Sequence, residues 1–347
     1  MSFTVKALQK TDPQAPFEVV DLERRDPGEN DIVIDIKAAG ICHSDIHTIR
    51  NEWGKAHFPL CVGHEIAGLV SAVGSGVTKH KVGDRVGVGC LVNSCGECEY
   101  CKAGFENNCL KGAVGTYNSV DTDGSITQGG YSQKVTVNEN FAVKIPDALD
   151  LDVAAPLLCA GITTYSPLAR WGVSKGQKVA VLGLGGLGHM GVQLAVAMGA
   201  EVTVLSRTLK KEQTALDLGA TRVLATTEDS FFEEHKGEFD FILNTISADI
   251  PVDAYMSLLK PRGVMTVLGL PPAAQSLRFG SIIGGGKVLA GSNIGGIPET
   301  QEMLDFCAEH GIGAVIEKIS VDQVDEYYEK VVAGDVQFRA VIDTETF

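Results

Sequence analysis

The chain has 347 residues, enough for about two domains with a large core, and its formal net charge is −15. This negative charge argues against nucleic acid or an anionic membrane as a partner. No apolar run approaches the roughly 20 residues that span a bilayer, and the N-terminal residues lack the apolar core of a signal peptide. We therefore expect a cytoplasmic protein, in which nine cysteines indicate metal binding or catalysis rather than disulfides.

The first part of the chain has the pattern of a β-rich domain. Short segments rich in β-branched residues, 17–22 and 31–37, flank the turn sequence Pro27-Gly28-Glu29-Asn30. Similar segments with glycine-rich turns continue over residues 62–92. We expect this β-rich domain to end near the change of pattern at Pro146.

Residues that could bind a metal are scattered over positions 42–159. They are Cys42, His64, Glu65 and Cys159. A lone cysteine is usually a small apolar core residue, and a lone histidine is more often structural than a ligand. Spacing alone therefore leaves both interpretations open, and Cys61, Cys90 and Cys307 are interpreted as free or core thiols.

A compact cysteine cluster gives a more specific signal. Its spacing is Cys95-x2-Cys98-x2-Cys101-x7-Cys109, with glycines and polar residues between the thiols. Four thiolates so close together can close a tetrahedral site without an open position, as a structural zinc requires. An iron–sulfur cluster and a set of plain surface thiols are the alternatives.

From residue 151 onwards the chain alternates helical and strand patterns. Helical spacing covers 151–170 and 210–218, and the predicted strands are Lys178–Leu182, 201–205, Arg222–Ala225, Phe239–Asn244, 264–269 and 287–291. This alternation predicts a doubly wound, six-stranded parallel sheet of the Rossmann type. Helices over 300–310 and 321–333 and a strand over 338–343 then follow, and we expect this last stretch to return to the β-rich domain.

A glycine-rich turn follows the first strand of the predicted parallel sheet. Gly183, Gly185 and Gly188 lie between that strand and a helical pattern, which is the context of a dinucleotide site. The helix N-terminus supplies free N–H groups to the phosphates. We expect the turn to contact the dinucleotide through Gly183, Leu184, Gly185, Gly186, Leu187 and Gly188; a purely structural turn is the alternative.

The end of the next strand indicates which dinucleotide binds. An NAD site usually carries an acidic residue there, but the only acid in this strand, Glu201, lies at its start. Ser206, Arg207 and Lys211 instead offer hydroxyl and cationic groups to a 2′-phosphate. We therefore predict NADP(H), with at least roughly tenfold preference in kcat/KM. The alternative for the lysine is a solvated first helical turn.

Taken in order, the motifs resemble the zinc-dependent medium-chain alcohol dehydrogenases over essentially the whole chain. The Gly63-His64-Glu65 sequence, the cysteine cluster and the glycine turn carry this resemblance. The segments 90–95, 115–118 and 129–132 are most similar to the NADP-dependent, cinnamyl-alcohol-dehydrogenase-like branch. The resemblance implies a GroES-like catalytic domain (1–152, with a structural zinc lobe at 93–111), a Rossmann domain (153–297) and a return to the catalytic domain (298–347).

The resemblance also implies roles for individual residues. Cys42, His64 and Cys159 match three catalytic zinc ligands, with Glu65 as a possible alternate ligand, so two zinc ions per chain are expected. Ser44 and His47 match a proton relay, although the family often has threonine where Ser44 stands. The other matched positions are cofactor contacts at Thr163, Thr245, Ser292 and Arg339, and substrate-pocket positions at Trp53, Phe58 and Cys90.

These features predict an oxidoreductase that transfers hydride between NADP(H) and primary alcohols or aldehydes. The small Cys90 side chain favours aromatic or medium-chain substrates. A polyol dehydrogenase of the same superfamily and a non-catalytic nucleotide-sensing protein are the alternatives. The resemblance further implies a homodimer, with a tetramer also possible, in which the strand over 287–291 pairs across the two-fold axis.

Overall fold

The computed structural model describes residues 2–347 as two compact units. Unit 1 comprises residues 2–162 with Gly295–Phe347, and unit 2 comprises Thr163–Ile294. None of the helices in residues 2–347 is long and apolar enough to cross a bilayer.

Short strands dominate the first part of unit 1, as the β-branched segments predict. In chain order the elements are β1 (Ser2–Gln9), β2 (Glu18–Arg25), β3 (Asp31–Ile41), α1 (His43–Ile49), β4 (Ile66–Val73), β5 (Arg85–Val88), β6 (Leu91–Asn93), α2 (Glu99–Lys102), β7 (Val114–Gly115), β8 (Lys134–Asn138), β9 (Val143–Lys144) and α3 (Leu151–Ala154). Short 3₁₀ turns cover Glu106–Asn108, Glu139–Phe141 and Ala155–Leu158.

Strands and helices then alternate. The elements are α4 (Ala160–Arg170), β10 (Lys178–Leu182), α5 (Gly186–Ala197), β11 (Glu201–Ser206), α6 (Glu212–Asp217), β12 (Arg222–Ala225), α7 (Phe231–Glu234), β13 (Phe239–Asn244), α8 (Val252–Ser257), β14 (Leu259–Val267), α9 (Phe279–Ile283) and β15 (Val288–Gly291). The chain ends with α10 (Ile297–His310), β16 (Ile316–Ile319), 3₁₀ turns at Val321–Gln323 and Thr344–Thr346, α11 (Val324–Ala333) and β17 (Arg339–Asp343).

Strand β3 organises the main sheet of unit 1. The seven-stranded sheet has the order β16-β17-β3-β4-β5-β9, and β8 also pairs with β3. The carboxyl-terminal half of β3 pairs with β17, whereas its first five residues pair with β8. Nine of its eleven residues between Asp31 and Ile41 are buried and the other two are partly buried, as expected of a central strand.

Unit 2 contains a six-stranded sheet with the order β12-β11-β10-β13-β14-β15, in which every pairing is parallel. The predicted Rossmann-type sheet is therefore confirmed. Its strand order reverses between β10 and β13, which is where open α/β sheets bind ligands. Helix α6 begins at Glu212, so Lys210 and Lys211 precede the helix instead of forming its first turn.

The boundaries of the units differ from the predicted domain boundaries. The first division falls between Ile162 and Thr163 rather than at 152–153, and the second falls between Ile294 and Gly295 rather than at 297–298. The physical reason is that α3 and the 3₁₀ turn Ala155–Leu158 pack against β3 and β4 of unit 1. Because of this packing, Cys159 lies in the same unit as Cys42 and His64.

Candidate active site

Four scattered side chains from the sequence meet in unit 1. Ligand atoms of Cys42, His64, Glu65 and Cys159 lie within 4.8 Å of one another, and all four residues are buried. Chain geometry explains the meeting. Cys42 lies between β3 and α1, the His64–Glu65 pair precedes β4, and Cys159 follows the 3₁₀ turn before α4. The two thiol sulfurs are 3.9 Å apart.

This group of side chains has the chemistry of a zinc site. The Nε2 atom of His64 and the Oε2 atom of Glu65 are buried and have no hydrogen-bond partner in the described residues. Buried polar atoms are rarely left unpaired, so a cation that accepts their lone pairs explains both. Contact with the Cys159 thiol holds the pKa of Cys42 well below its usual range, which favours the thiolate that binds metal.

Asp45 lies directly behind this cluster and was not predicted from the sequence. Its side chain is fully buried, with Oδ1 3.2 Å from Nδ1 of His64 and Oδ2 accepting the backbone N–H of Cys42 at 2.9 Å. A carboxylate on Nδ1 fixes the tautomer of a ligand histidine, leaving Nε2 to face a metal. The only sequence signal was an acid in the first turn of α1.

Arg339 was predicted to contact the cofactor, and in the structure its guanidinium forms a buried ion pair with Glu65. The side chain of Arg339 is 5% exposed and that of Glu65 is 0% exposed. Burial raises the pKa of Glu65 to about 8, while the positive charge of Arg339 opposes this change. An arginine stays protonated in proteins, so the charge of Arg339 favours the carboxylate form of Glu65. Arg339 thus lies behind an alternate ligand, and its role toward the cofactor stays a prediction.

The predicted relay residues lie on α1, one turn apart. The Ser44 hydroxyl oxygen is 3.6 Å from the Cys42 sulfur, which places it at the ligand cluster. His47 lies nearer to solvent, where Nδ1 contacts the Glu52 carboxylate. The ring of Trp53 stacks on the His47 imidazole at 4.8 Å. Glu52 was not predicted, and Trp53, predicted in the substrate pocket, is half exposed against the relay histidine.

The other predicted pocket residues lie apart from Trp53. The Cys90 thiol contacts the thiol of Cys159 and therefore adjoins the ligand cluster. This contact lowers the pKa of Cys90. Phe58 lines a surface depression that extends over residues 55–59 and includes Gln128, but neither Trp53 nor Cys90. Cys90 therefore lies beside the candidate metal site. Trp53, Phe58 and Cys90 do not line this depression together.

The second cysteine cluster folds as the spacing predicts. Sulfur atoms of Cys95, Cys98, Cys101 and Cys109 lie within 4.8 Å of one another around α2. Backbone N–H groups of Cys95, Cys98 and Cys101 point at sulfurs of this set, at 3.4–3.5 Å. The backbone N–H of Cys101 is the main reason that the pKa of Cys98 falls to about 6. N–H groups aimed at sulfur stabilise thiolates, and four thiolates suit a closed zinc site.

In unit 2, the glycine turn connects β10 to α5. Gly183 has φ +91°, which side chains other than glycine rarely adopt. A Cβ on Gly188 would lie 2.1 Å from the Gly183 carbonyl oxygen, so helix and turn approach too closely for any side chain. A Cβ on Gly185 would meet nothing within 4 Å. The turn therefore leaves open space over its middle glycine, beside Gly186 at the start of α5.

Two of the other predicted cofactor contacts in unit 2 adjoin this turn. Thr245 follows β13, and its hydroxyl donates to the Leu182 carbonyl at 2.9 Å. Ser206 ends β11, Arg207 is exposed beyond it, and Lys211 reaches back to the Leu184 carbonyl at 3.5 Å. Ser292 follows β15, the strand at the far end of the sheet, and Thr163 lies buried on α4. Thr245 and Lys211 thus adjoin the turn, as their predicted role requires.

Comparison with known proteins identifies the family. The family model described as alcohol dehydrogenase GroES-like domain matches residues 28–147, and that described as zinc-binding dehydrogenase matches residues 186–309. The chain is 56% identical to a probable formaldehyde dehydrogenase of Bacillus subtilis, with 98% of each chain covered. It is 55% identical to an NADP-dependent alcohol dehydrogenase of Mycolicibacterium smegmatis, again over 98% of each chain.

Comparison with a solved structure indicates the branch of the family. The cinnamyl alcohol dehydrogenase of Sorghum bicolor superposes with a TM-score of 0.95 at 42% identity, covering 99% of this chain and 98% of that one. The GroES-like fold of unit 1 is therefore confirmed together with the Rossmann-type sheet. The chain belongs to the zinc-dependent medium-chain alcohol dehydrogenase family, in its cinnamyl-alcohol-dehydrogenase-like branch.

Proposed function

We propose that the protein is an NADP(H)-dependent alcohol dehydrogenase and aldehyde reductase that holds one catalytic and one structural zinc ion. The observation that carries this proposal is the buried group of Cys42, His64, Glu65 and Cys159, in which two polar atoms have no other partner. Relatives named as NADP-dependent alcohol dehydrogenase and probable formaldehyde dehydrogenase support the reaction class.

The glycine turn 183–188 and Arg207 would hold NADP(H), which when bound would give hydride to, or accept it from, the carbon that carries the substrate oxygen. Cys42, His64 and Cys159 would hold the catalytic zinc, which when bound supplies a Lewis acid that lowers the pKa of an alcohol and polarises an aldehyde. The Ser44 hydroxyl can accept and donate a proton beside this cluster. His47 would exchange that proton with solvent, because its side chain is partly exposed and a ring nitrogen can accept and donate a proton.

We expect aromatic and medium-chain aldehydes to be reduced with higher kcat/KM than acetaldehyde, because Cys90 leaves room beside the ligand cluster. The test is NADPH oxidation with benzaldehyde, hexanal, acetaldehyde and a keto-sugar on metal-quantified enzyme, with and without a chelator. Preference for acetaldehyde contradicts the wide pocket, preference for the keto-sugar indicates a polyol dehydrogenase, and no turnover at all contradicts the enzyme itself.

Arg207→Ala tests the proposed 2′-phosphate site. We expect kcat/KM with NADPH to fall about tenfold, equivalent to about 1.4 kcal/mol, while kcat/KM with NADH stays unchanged. Arg278→Ala is the control, because Arg278 is also an exposed arginine of unit 2. Equal losses with both cofactors in the Arg207 variant, or no loss with either, would contradict the assignment.

Unit 2 presents an edge that fits a second copy of the chain. Among residues 2–347, strand β15 ends the sheet and pairs with β14 alone, which leaves its outer edge available to a strand from a second copy. Phe279 and Ile283 on α9 are each 77% exposed, and Leu270 is 63% exposed. Phe279 and Ile283 are four residues apart on α9 and so share one face, and neighbouring exposed apolar side chains favour an interaction surface. We include in the proposal a homodimer that pairs β15 strands; a tetramer would need further contacts.

For this dimer we expect Ile283→Glu to raise the dissociation constant at least about tenfold in sedimentation velocity. The reason is that the substitution places like charges in an apolar interface. Val82→Glu, at a 60% exposed position of unit 1, should leave the dissociation constant unchanged. An unaltered protein that sediments as a monomer at micromolar concentration would rule out the dimer.

The cysteines support the cytoplasmic location that we propose. None of the nine forms a disulfide, and all of them fall in or beside the two clusters or in the core of unit 1. Thiols kept reduced for metal binding are typical of a reducing compartment.

A further inference from the structure

The segment Gly129-Gly130-Tyr131-Ser132 is bonded to the backbone that carries His64. Consecutive N–H groups of residues 129, 130 and 131 donate to the carbonyls of Cys61 (2.7 Å), Gly63 (2.8 Å) and Val62 (3.0 Å). All three acceptors come immediately before His64 in the chain. The position of Tyr131 and that of the candidate zinc ligand are therefore fixed by one set of backbone bonds.

The ring of Tyr131 lies directly against Gly63. A Cβ on Gly63 would be 2.5 Å from Cδ1 of Tyr131, and Gly63 has φ +105°. Any other residue at this position would be strained and would also displace the ring. Gly63 thus leaves the space that the Tyr131 ring occupies, and the next residue, His64, is the candidate zinc ligand.

The hydroxyl of Tyr131 reaches the carboxylate behind that ligand. It donates to Oδ2 of Asp45 at 3.0 Å, while Oδ1 of Asp45 contacts Nδ1 of His64 at 3.2 Å. The side chains of Tyr131 and Asp45 have no exposed surface. With one oxygen held by Tyr131 and by the Cys42 backbone N–H, the other oxygen faces the imidazole.

A second tyrosine extends the chain of hydroxyls. The Tyr328 hydroxyl donates to the Tyr131 hydroxyl at 3.3 Å, and both residues belong to unit 1. Phe17 packs against both rings, with centroid separations of 5.1 Å to Tyr328 and 6.1 Å to Tyr131. Because Tyr328 satisfies the Tyr131 oxygen as acceptor, the Tyr131 proton is directed to Asp45.

We propose that Tyr131 is a positioning residue for the catalytic zinc site, acting through Asp45 on His64. Its hydroxyl holds the Asp45 carboxylate in the orientation that accepts Nδ1–H, and this keeps the Nε2 lone pair available to the metal. The inference rests on the proposed function, since it requires that His64 binds zinc. A tyrosine that only fills the core would leave the metal unaffected when its hydroxyl is removed.

Tyr131→Phe removes the hydroxyl and keeps the ring. A direct partner of a ligand histidine is worth about 10–100-fold in metal affinity, and Tyr131 acts one step further away. We therefore expect a chelator to extract the catalytic zinc about three- to tenfold faster, with an unchanged rate for the structural zinc. We also expect the visible absorption bands of cobalt-substituted enzyme to shift.

Two further variants make the experiment decisive. Asp45→Asn should accelerate extraction more than Tyr131→Phe, because it alters the direct partner of His64. Tyr255→Phe, which changes a buried tyrosine of unit 2, should leave both extraction rates and the cobalt spectrum unchanged.

The outcomes separate this inference from the proposed function. Unchanged extraction and an unchanged cobalt spectrum in Tyr131→Phe overturn the role of Tyr131, even where the unaltered enzyme binds two zinc ions. Equal acceleration by Tyr131→Phe and Tyr255→Phe also overturns it, because general destabilisation then explains both. An unaltered enzyme that binds only one zinc ion contradicts the proposed function instead.

Discussion

Replacing His64 with alanine is expected to lower the zinc content from two ions per chain to one and kcat/KM by at least about 10³-fold, or about 4 kcal/mol. The substitution removes the only imidazole from the buried donor set. It also leaves Asp45 buried without the ring that its Oδ1 atom contacts. The metal is then lost together with the Lewis acidity that the reaction needs.

Metal analysis and steady-state kinetics on the same protein sample check this expectation. Cys307→Ala is the control, because it removes a buried thiol that belongs to neither donor set. That variant should keep two zinc ions and its activity. A His64 variant with two zinc ions and full activity would show that the scattered cluster is not the catalytic site.

Ser44→Ala is expected to reduce kcat about 10²-fold while the zinc content stays at two ions per chain. The hydroxyl lies at the ligand cluster, 3.6 Å from the Cys42 sulfur, and no other relay residue was predicted between it and His47. Without it, the proton has no side-chain carrier at the start of the relay. The measurement is kcat for benzaldehyde reduction over a range of pH.

Ser44→Thr is the matched variant, because threonine restores the hydroxyl. It should recover most of the lost turnover, whereas a role in packing alone would favour the smaller alanine. If kcat is unchanged in Ser44→Ala, the proton leaves by another route and the relay is wrong.

Much of the parallel sheet could be predicted because its strands are buried on both faces. Such strands appear in the sequence as short, nearly continuous apolar runs. The predicted bounds Lys178–Leu182, Arg222–Ala225 and Phe239–Asn244 match β10, β12 and β13. Strand β14 begins at Leu259, earlier than the predicted 264, because Leu259 pairs with Phe239 across a register shift. The polar residues that follow Leu259 concealed this pairing in the sequence.

Strand β3 was predicted too short for a related reason. It continues past residue 37 through Ala38, Ala39 and Gly40, which have low strand propensity. Small residues are required here because a Cβ on Gly40 would lie 1.9 Å from Oε2 of Glu65. Tertiary packing around the active site, which a local pattern does not show, therefore determines where the strand ends.

The two metal clusters differ in how far the sequence alone could predict them. Four cysteines within one short segment imply a site by spacing. Cys42, His64 and Cys159 are brought together only by the fold, so their spacing was compatible with core residues and the resemblance was needed. Asp45 went unnoticed because an acid in the first turn of a helix already has a common explanation, the helix dipole.

The pairing of β3 with β17 has a consequence for synthesis of the chain. Thr344 donates a hydrogen bond to the Ile36 carbonyl across 308 residues, and Ala340 is the partner of Ile41. At about 5–20 residues per second, a ribosome needs roughly 15 to 60 s between making the two strands. Throughout that interval one edge of β3 is without its partner and Glu65 is without Arg339. Translation therefore completes the active site last, and a nascent chain that stalls after unit 2 exposes an unpaired strand edge to other chains.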